Sequence, residues 1–122
     1  LYLTTYFTVV NYFYMTMSKQ REQELWAAIL CIKNTAEAGK FFGDLLTKDE
    51  IADFANRWLT ARMLYNGESY KSIQNRTPIS TRTIARIANW LNKGTGGYRL
   101  LLNRINNVHH TVTVYSRRQT AH

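Results

Sequence analysis

Four side chains that donate hydrogen bonds recur along one segment at the spacing of a helix face. They follow one another at steps of four, three and four residues: Arg82, Arg86, Asn89 and Lys93. Residues three and four apart lie on the same side of an α-helix. An arginine on such a face can hold the edge of a guanine by two hydrogen bonds. The chemistry that this segment offers is therefore recognition of a nucleic acid.

The opposite side of the same segment is apolar. Its members also recur at helical steps: Ile84, Ile87, Ala88 and Leu91. Such a stripe faces a core, so we predict a helix over Thr81–Asn92 with Ser80 as its N-cap. Thr81 and Thr83 share the first turn with Arg82, and a threonine offers both a hydroxyl and a methyl group to a base. An ordinary amphipathic helix with a hydrated basic face is the alternative that this pattern leaves open.

A shorter helix is predicted just before this one. Ser69 is placed to cap a helix over Tyr70–Arg76. Pro78 then disfavours helical geometry at Thr77 and marks a turn. Two short helices joined by a brief turn have the dimensions of a helix-turn-helix, whose second helix enters the major groove by its first turn. Four polar residues around the helix starts are placed to contact phosphate, which positions a protein without reading sequence: Ser69, Lys71, Ser72 and Ser80.

Charge is distributed unevenly along the 122 residues. The net charge is +8, yet all eight acidic residues lie between Glu22 and Glu68. Residues 69–122 contain nine Lys or Arg side chains and no Asp or Glu. A one-sided positive field suits a polyanion, because each neutralised phosphate releases a counterion. A hydrated basic face or an anionic membrane surface would give the same charge pattern, and the helix-turn-helix favours double-stranded DNA over both.

The rest of the chain is also predicted to be helical. Thr47 and Glu50 form the signature of a capping box, and the helix that they start ends at Asn66-Gly67. Before it, Thr35 is expected to cap a helix over Ala36–Leu46, and a first helix precedes that one. One more helix is predicted to begin at Tyr98, after the glycine-rich break that follows Lys93. The fold class is therefore all-α with six helices.

The two ends of the chain depart from this pattern. Residues 1–17 carry no charge and are rich in Thr, Tyr and Phe, a composition that favours a strand or irregular coil. We interpret them as an N-terminal extension, and we expect Ser18 to cap the first helix. The helical domain then spans 18–108, with its last helix ending near Asn107. Residues 109–122 are predicted to form a largely disordered basic tail.

No set of residues points to catalysis, a cofactor or a metal. Cys31 is the only cysteine, which excludes an intrachain disulfide and a cysteine zinc cluster, and its apolar neighbours predict a buried thiol. Adjacent residues do not face one another on a helix, so we interpret His109-His110 as a surface pair. We therefore expect no enzyme activity. Nothing suggests secretion or a membrane partner, and a cytoplasmic location is the simplest interpretation.

The order of these elements resembles the Trp repressor superfamily over about Ser18 to Ile105. The segments Leu46–Glu50 and Asn66–Ser69, with Arg57 between them, carry the resemblance. The string Ile79-Ser80-Thr81-Arg82-Thr83-Ile84-Ala85-Arg86 is closer to the Trp-repressor-related YerC/YecD branch. The resemblance implies an intertwined, all-helical homodimer that regulates transcription.

One departure from this resemblance concerns the ligand. The Trp repressor clamps tryptophan between two arginines, and Arg57 matches only the first of them. The second position is Ile87, while a small Gly and a Ser of that pocket correspond to Ala88 and Leu91. An aliphatic side chain cannot pair with a carboxylate, so these positions are predicted to pack as core. Tryptophan binding is therefore not expected, and neither is another small-molecule co-regulator.

Together, the pattern and the resemblance predict a sequence-specific regulator, most simply a repressor, that reads the major groove of double-stranded DNA. One alternative is a helical dimeric interaction protein that kept the fold and binds nucleic acid only non-specifically. Another is an RNA-binding accessory protein. The retained Arg82, Thr83 and Arg86 favour DNA over both alternatives.

Overall fold

The computed structural model describes the backbone of residues 2–119 and the side chains of residues 2–108. This part of the chain forms six helices and no strand, which confirms the predicted fold class. The helices are α1 Tyr2–Leu30, α2 Thr35–Leu45, α3 Lys48–Tyr65, α4 Tyr70–Arg76, α5 Thr81–Lys93 and α6 Gly97–Gln119. The chain divides after Leu46 into two compact units, one with α1 and α2 and the other with α3 to α6. None of the described helices is both long and apolar enough to cross a membrane.

The first helix is much longer than predicted. The prediction of a strand or coil over residues 1–17 is wrong for the described residues, because α1 begins at Tyr2 and passes through Ser18, which therefore caps nothing. Residues 1–30 contain neither glycine nor proline to stop a helix. The hydroxyls of Thr8 and Thr16 each donate to a carbonyl four residues earlier at 2.8 Å, so these threonines satisfy their polar groups inside the helix.

The second helix begins one residue earlier than predicted. Asn34, and not Thr35, is its N-cap, because the Asn34 side chain accepts a hydrogen bond from the backbone N–H of Glu37 at 2.9 Å. The Glu37 carboxylate accepts in turn from the backbone N–H of Lys33 at 2.9 Å. The prediction that Cys31 is buried is also wrong. Its thiol is exposed, because the residue lies in the turn that follows α1 and packs into no helix face.

The third helix starts and ends as the sequence predicts. Thr47 Oγ1 accepts from the backbone N–H of Glu50, and the Glu50 carboxylate accepts from the backbone N–H and the hydroxyl of Thr47. The hydrogen bond from the Thr47 backbone holds the pKa of Glu50 below its ordinary value, and the one from the Thr47 hydroxyl adds to it. At the other end Asn66 is the C-cap, and Gly67 adopts a φ of 80° that favours glycine.

The core of the second unit lies between α3, α4 and α5. Met63, Ile73 and Ile84 form its centre, and partly buried residues pack around them. Leu102 extends the buried set onto α6, and the Tyr65 hydroxyl donates to Asn103 Oδ1 at 2.6 Å, which ties α6 to α3. This packing fixes the apolar side of α5 and leaves its other side to water.

The last helix begins at Gly97, one residue before the predicted start, and continues beyond Asn107 as far as Gln119. The predicted end of this helix near Asn107 is therefore wrong, while the predicted disorder of the tail stays a prediction. No glycine or proline follows Gly97, so nothing in the sequence stops the helix. Residues 120–122 of the predicted tail lie outside the described residues, as do the side chains of the predicted surface pair His109-His110.

Candidate nucleic-acid interface

The two helices of the predicted helix-turn-helix are both present. They are α4 and α5, joined by residues 77–80. The Ser69 side chain accepts from the backbone N–H of Ser72 at 3.2 Å and caps α4. The Ser80 side chain accepts from the backbone N–H of Thr83 at 3.3 Å and caps α5. Both predicted caps are therefore confirmed, and the chain between them is extended at Thr77 as Pro78 requires.

The apolar stripe of α5 packs inward as predicted. Ile84 and Ile87 are fully buried, Leu91 is 6% exposed, and Ala88 is half-buried. Burial of this stripe fixes the rotation of α5 about its own axis, because the polar residues at intervening positions must then face outward.

The polar stripe of α5 is exposed along the whole helix. Its four members all face solvent: Arg82, Arg86, Asn89 and Lys93. The Arg86 guanidinium lies 6.0 Å from the centre of the Trp90 ring, one turn further along. A cation over an aromatic face is attracted to it, so the Arg86 side chain extends along the helix toward its C-terminal end. Arg82 has no such neighbour among the described contacts and projects from the first turn.

Hydrogen bonds organise the first turn of α5. Gln74 Nε2 on α4 donates to Thr81 Oγ1 at 2.7 Å, and the Ser80 hydroxyl donates to Thr83 Oγ1 at 3.1 Å. Thr81 is exposed and Thr83 is half-buried. Both threonines therefore accept a hydrogen bond within the protein and keep the hydrogen of their own hydroxyl for another acceptor. No pattern in the sequence indicates this role of Gln74. It lies on α4, seven residues before Thr81, and the two residues belong to different helices.

The predicted phosphate-contacting residues differ in how accessible they are. Ser69, Lys71 and Ser80 are exposed, whereas Ser72 is half-buried. The Ser72 hydroxyl donates to the Glu68 carboxylate at 2.8 Å, so its hydrogen is already used inside the protein. Glu68 also lies 3.7 Å from the Arg76 guanidinium. The last acidic residue of the sequence thus holds two α4 side chains in place.

An arginine on α6 anchors the far end of α5. The Arg99 guanidinium donates through Nε to the carbonyl of Leu91 at 2.8 Å and through Nη2 to Asn92 Oδ1 at 2.8 Å. The last carbonyls of a helix lack partners within that helix, and a cation there also interacts favourably with the negative end of the helix dipole. The α5 helix is therefore fixed at its start by Gln74 and at its end by Arg99. No pattern in the sequence indicates this role of Arg99, because Leu91 and Arg99 lie on different helices.

The family resemblance assigns three α5 residues to positions of a tryptophan pocket, and the predicted core packing is confirmed at two of them. Ile87 and Leu91 are buried in the core, so the space beside them is filled by protein. Arg57, the matching arginine on α3, is exposed.

Comparison with known proteins agrees with this architecture. Residues 20–106 match the family model described as Trp repressor protein. The chain belongs to the Trp repressor family. The uncharacterized protein YerC of Bacillus subtilis (strain 168) is 39% identical over 94 residues, which are 75% of this chain and 90% of that protein.

Two solved structures of Trp repressor type have the same fold. One, from Staphylococcus aureus and described as a candidate Trp repressor, superposes with a TM-score of 0.68 at 36% identity over 71% of this chain and 87% of that chain. The other, a TrpR-like protein from Eubacterium eligens ATCC 27750, has a TM-score of 0.69 at 37% identity over 71% of this chain and 90% of that chain. The family match begins at residue 20, so the aromatic start of α1 lies outside it.

Proposed function

We propose that this protein is a transcriptional regulator, in the simplest case a repressor, that reads a specific sequence in the major groove of double-stranded DNA. The observation that carries the proposal is the division of α5 into a buried apolar side and an exposed side with Arg82, Arg86, Asn89 and Lys93. Membership in the Trp repressor family supports the same role. We infer a binding function and no catalytic one, in a cytoplasmic protein.

We assign the base contacts to the exposed first turns of α5. Arg82 lies in the first turn, which is the part of a recognition helix that approaches base edges. Thr81 and Thr83 would hydrogen-bond or contact a base methyl group beside it, and Arg86 and Asn89 would follow along the groove. Ser69, Lys71, Ser72, Ser80 and Lys93 would contact the phosphates. Ser72 and Ser80 are the weakest members of this set, because their hydroxyl hydrogens are donated to Glu68 and Thr83.

We infer that the protein acts as a homodimer. Phe54 on α3 is 52% exposed, and Leu101 and Ile105 on α6 are 49% and 40% exposed. Large apolar side chains that face water on neighbouring helices cost free energy, which a second copy would recover by covering them. Two copies would also present two α5 helices to successive major grooves, as dimeric helix-turn-helix proteins do.

The second candidate function is a helical dimeric interaction protein that binds nucleic acid only through its charge. The exposed aromatic residues of α1 favour it, because Tyr6, Phe7 and Tyr12 are each about 70% exposed and offer a surface for another protein. An RNA-binding accessory role has no comparable support from the structure.

Selection of duplexes from a random pool by the full chain separates these functions. A reader of sequence enriches one motif, and its affinity for that motif exceeds its affinity for scrambled duplex at the same salt concentration. A charge-only binder enriches no motif and loses affinity equally on all duplexes as salt rises. Competition by single-stranded or structured RNA in the same assay tests the third role.

A further inference from the structure

Arg86 and Trp90 form a contact on the outer side of α5. They are one turn apart, and the Arg86 guanidinium lies 6.0 Å from the centre of the Trp90 ring. A cation within about 6 Å of an aromatic ring is attracted to its face, most strongly where the ring is that of tryptophan. Both residues are exposed, the tryptophan by 42%. The contact therefore lies on the surface of α5 to which we assign DNA binding.

Arg86 has no carboxylate to hold it. Among the described residues the one ion pair joins Arg76 to Glu68, and the sequence contains no Asp or Glu after Glu68. The long side chain of a free arginine adopts many rotamers, and ordering it on binding costs conformational entropy. Within the part of the chain that the structure describes, the Trp90 ring is the group that restricts Arg86 before DNA binds.

The direction of this restriction matters because Arg82 lies one turn earlier. Side chains of a helix lean toward its N-terminus, so Arg86 left alone would lie over the turn that carries Arg82. Like charges four residues apart repel one another, and two guanidinium groups in one place compete for the same acceptor. Contact with Trp90 draws the Arg86 guanidinium the other way, toward the C-terminal end of α5.

The turn that carries Trp90 is itself held in place. The backbone N–H of Gly94 donates to the Trp90 carbonyl at 2.9 Å, and Arg99 of α6 donates to the carbonyl of the neighbouring Leu91 at 2.8 Å. Leu91 is buried in the core. The ring is therefore attached to a fixed turn of the helix, so the region in which it holds Arg86 is fixed as well.

An arginine that lies over a ring can still bind a base. The N–H groups of a guanidinium point outward in its own plane, so a ring against one face leaves the edge free for two parallel hydrogen bonds. The Cα atoms of Arg82 and Arg86 are about 6 Å apart along the helix axis, whereas neighbouring base pairs are spaced by about 3.4 Å. Two arginines that are kept apart can therefore reach two different base pairs.

We propose that Trp90 is a positioning residue for sequence reading. Its ring holds the Arg86 guanidinium away from Arg82, so that the two arginines read different base pairs of one half-site. This inference rests on the proposed function, and it gives Trp90 a part in specificity that acts through Arg86. A merely structural role would make Trp90 matter equally for every base pair, so the two roles differ in what a variant changes.

Binding of the full chain to a selected duplex and to its single-base-pair variants measures discrimination at each position. Arg82→Ala and Arg86→Ala first identify the base pairs that these arginines read. Trp90→Ala should reduce discrimination about threefold to fivefold at the Arg86 base pair and leave the Arg82 base pair unchanged. Trp90→Phe should restore most of it, because it keeps a ring. In the Arg86→Ala background, Trp90→Ala should change discrimination no further.

Nuclear magnetic resonance of the free protein tests the contact itself, without DNA. The Trp90 ring should shift the Arg86 side-chain proton resonances upfield, because an aromatic ring shields protons that lie over its face, and Trp90→Ala should abolish that shift. Trp26→Ala, the same substitution at a 53% exposed tryptophan of α1, is the matched control. It should keep the Arg86 shift and discriminate at both base pairs as the unaltered protein does. Circular dichroism checks that each variant folds.

Three results would overturn the inference. The first is unchanged discrimination by Trp90→Ala at the Arg86 base pair, and the second is an equal loss at both base pairs, which indicates a general effect on α5. The third is an unaltered protein whose Arg86 resonances show no shift from Trp90, a result that does not depend on how any variant folds. Each of these leaves sequence reading by α5 intact, whereas an unaltered protein that prefers no duplex would refute the proposed function and this inference with it.

Discussion

The side-chain amide of Gln74 donates a hydrogen bond of 2.7 Å to the hydroxyl oxygen of Thr81. This bond joins α4 to the first turn of α5 across residues 77–80, and both residues are exposed. It is a polar link between the two helices in addition to the apolar packing of Ile73 against Ile84. The orientation of the α5 first turn relative to α4 therefore depends in part on one side-chain amide at the surface.

We predict that Gln74→Ala weakens duplex binding by about threefold to tenfold, the equivalent of one net hydrogen bond. The free energy of unfolding should fall by no more than about 1 kcal/mol, because the apolar core is untouched. Fluorescence anisotropy with a selected duplex and urea unfolding measure the two quantities. Gln20→Ala, which removes an exposed amide within α1, is the control and should bind DNA normally. Unchanged duplex affinity for Gln74→Ala would contradict the role given to this bond.

L-Tryptophan should not raise the affinity of the protein for DNA. Ile87 and Leu91 are buried, and the family resemblance assigns them to the positions of a cation and a small polar group in a tryptophan pocket. Duplex titrations with and without tryptophan, supported by calorimetry, give the answer. A stoichiometric tryptophan site that is lost in Arg57→Ala would show that this reading of the α5 residues is wrong.

The capping box of α3 should give the fold a pH dependence. The Thr47 hydrogen bonds lower the pKa of Glu50, so the folded state favours the charged carboxylate. The stabilisation is therefore complete above the ordinary pKa of a glutamate, and it is lost as the pH falls through the lowered value. Thr47→Ala should lower the free energy of unfolding by about 1 kcal/mol at neutral pH.

Urea unfolding at neutral and acid pH measures this effect. The difference in stability between the unaltered protein and Glu50→Gln should shrink as the pH falls. Asp44→Asn, an exposed substitution on α2, serves as the matched control. The free energies of unfolding of Glu50→Gln and of the unaltered protein could instead differ by the same amount at neutral and acid pH. That result would rule out the charged Glu50 cap as the source of the difference.

The exposed apolar side of α6 predicts a dimer. Sedimentation at micromolar protein concentration should give a single species of twice the chain mass. Ile105→Asp should shift that species to monomer, because it would bury an unpaired charge in the interface. Asn106→Asp is the matched control, because it adds the same charge at the next position, which is exposed and polar. This variant should remain a dimer. A stable folded monomer of the unaltered protein under these conditions would count decisively against the dimer.

The features predicted most accurately are those that depend on residues close together in the sequence. The caps at Thr47, Ser69 and Ser80, the break between α4 and α5 at Pro78 and the buried side of α5 are all confirmed, since each depends on residues within a few positions of one another. It failed over the first 17 residues because the strand preference of Thr and aromatic residues is weak. No glycine or proline there opposes continuation of the helix.

Contacts between distant residues could not be predicted in this way. The Trp58 and Tyr98 rings stack although 39 residues lie between them in the sequence. Arg99 reaches the Leu91 carbonyl only because α6 folds back beside α5. No periodicity encodes such distances. The two polar anchors of α5, Gln74 and Arg99, therefore became visible only in the folded chain, whereas the exposed residues of α5 could be predicted from their spacing alone.

The central claim is that α5 reads sequence, and the most direct test compares Arg82→Ala with the unaltered protein on a selected duplex and on its single-base-pair variants. We predict a loss of about 1–3 kcal/mol in binding and relaxed discrimination at one base pair per half-site. Lys71→Ala is the contrast: it should weaken all duplexes alike and make the salt dependence shallower by about one unit per site. If Arg82→Ala folds normally and keeps both affinity and sequence preference, α5 is not the reader.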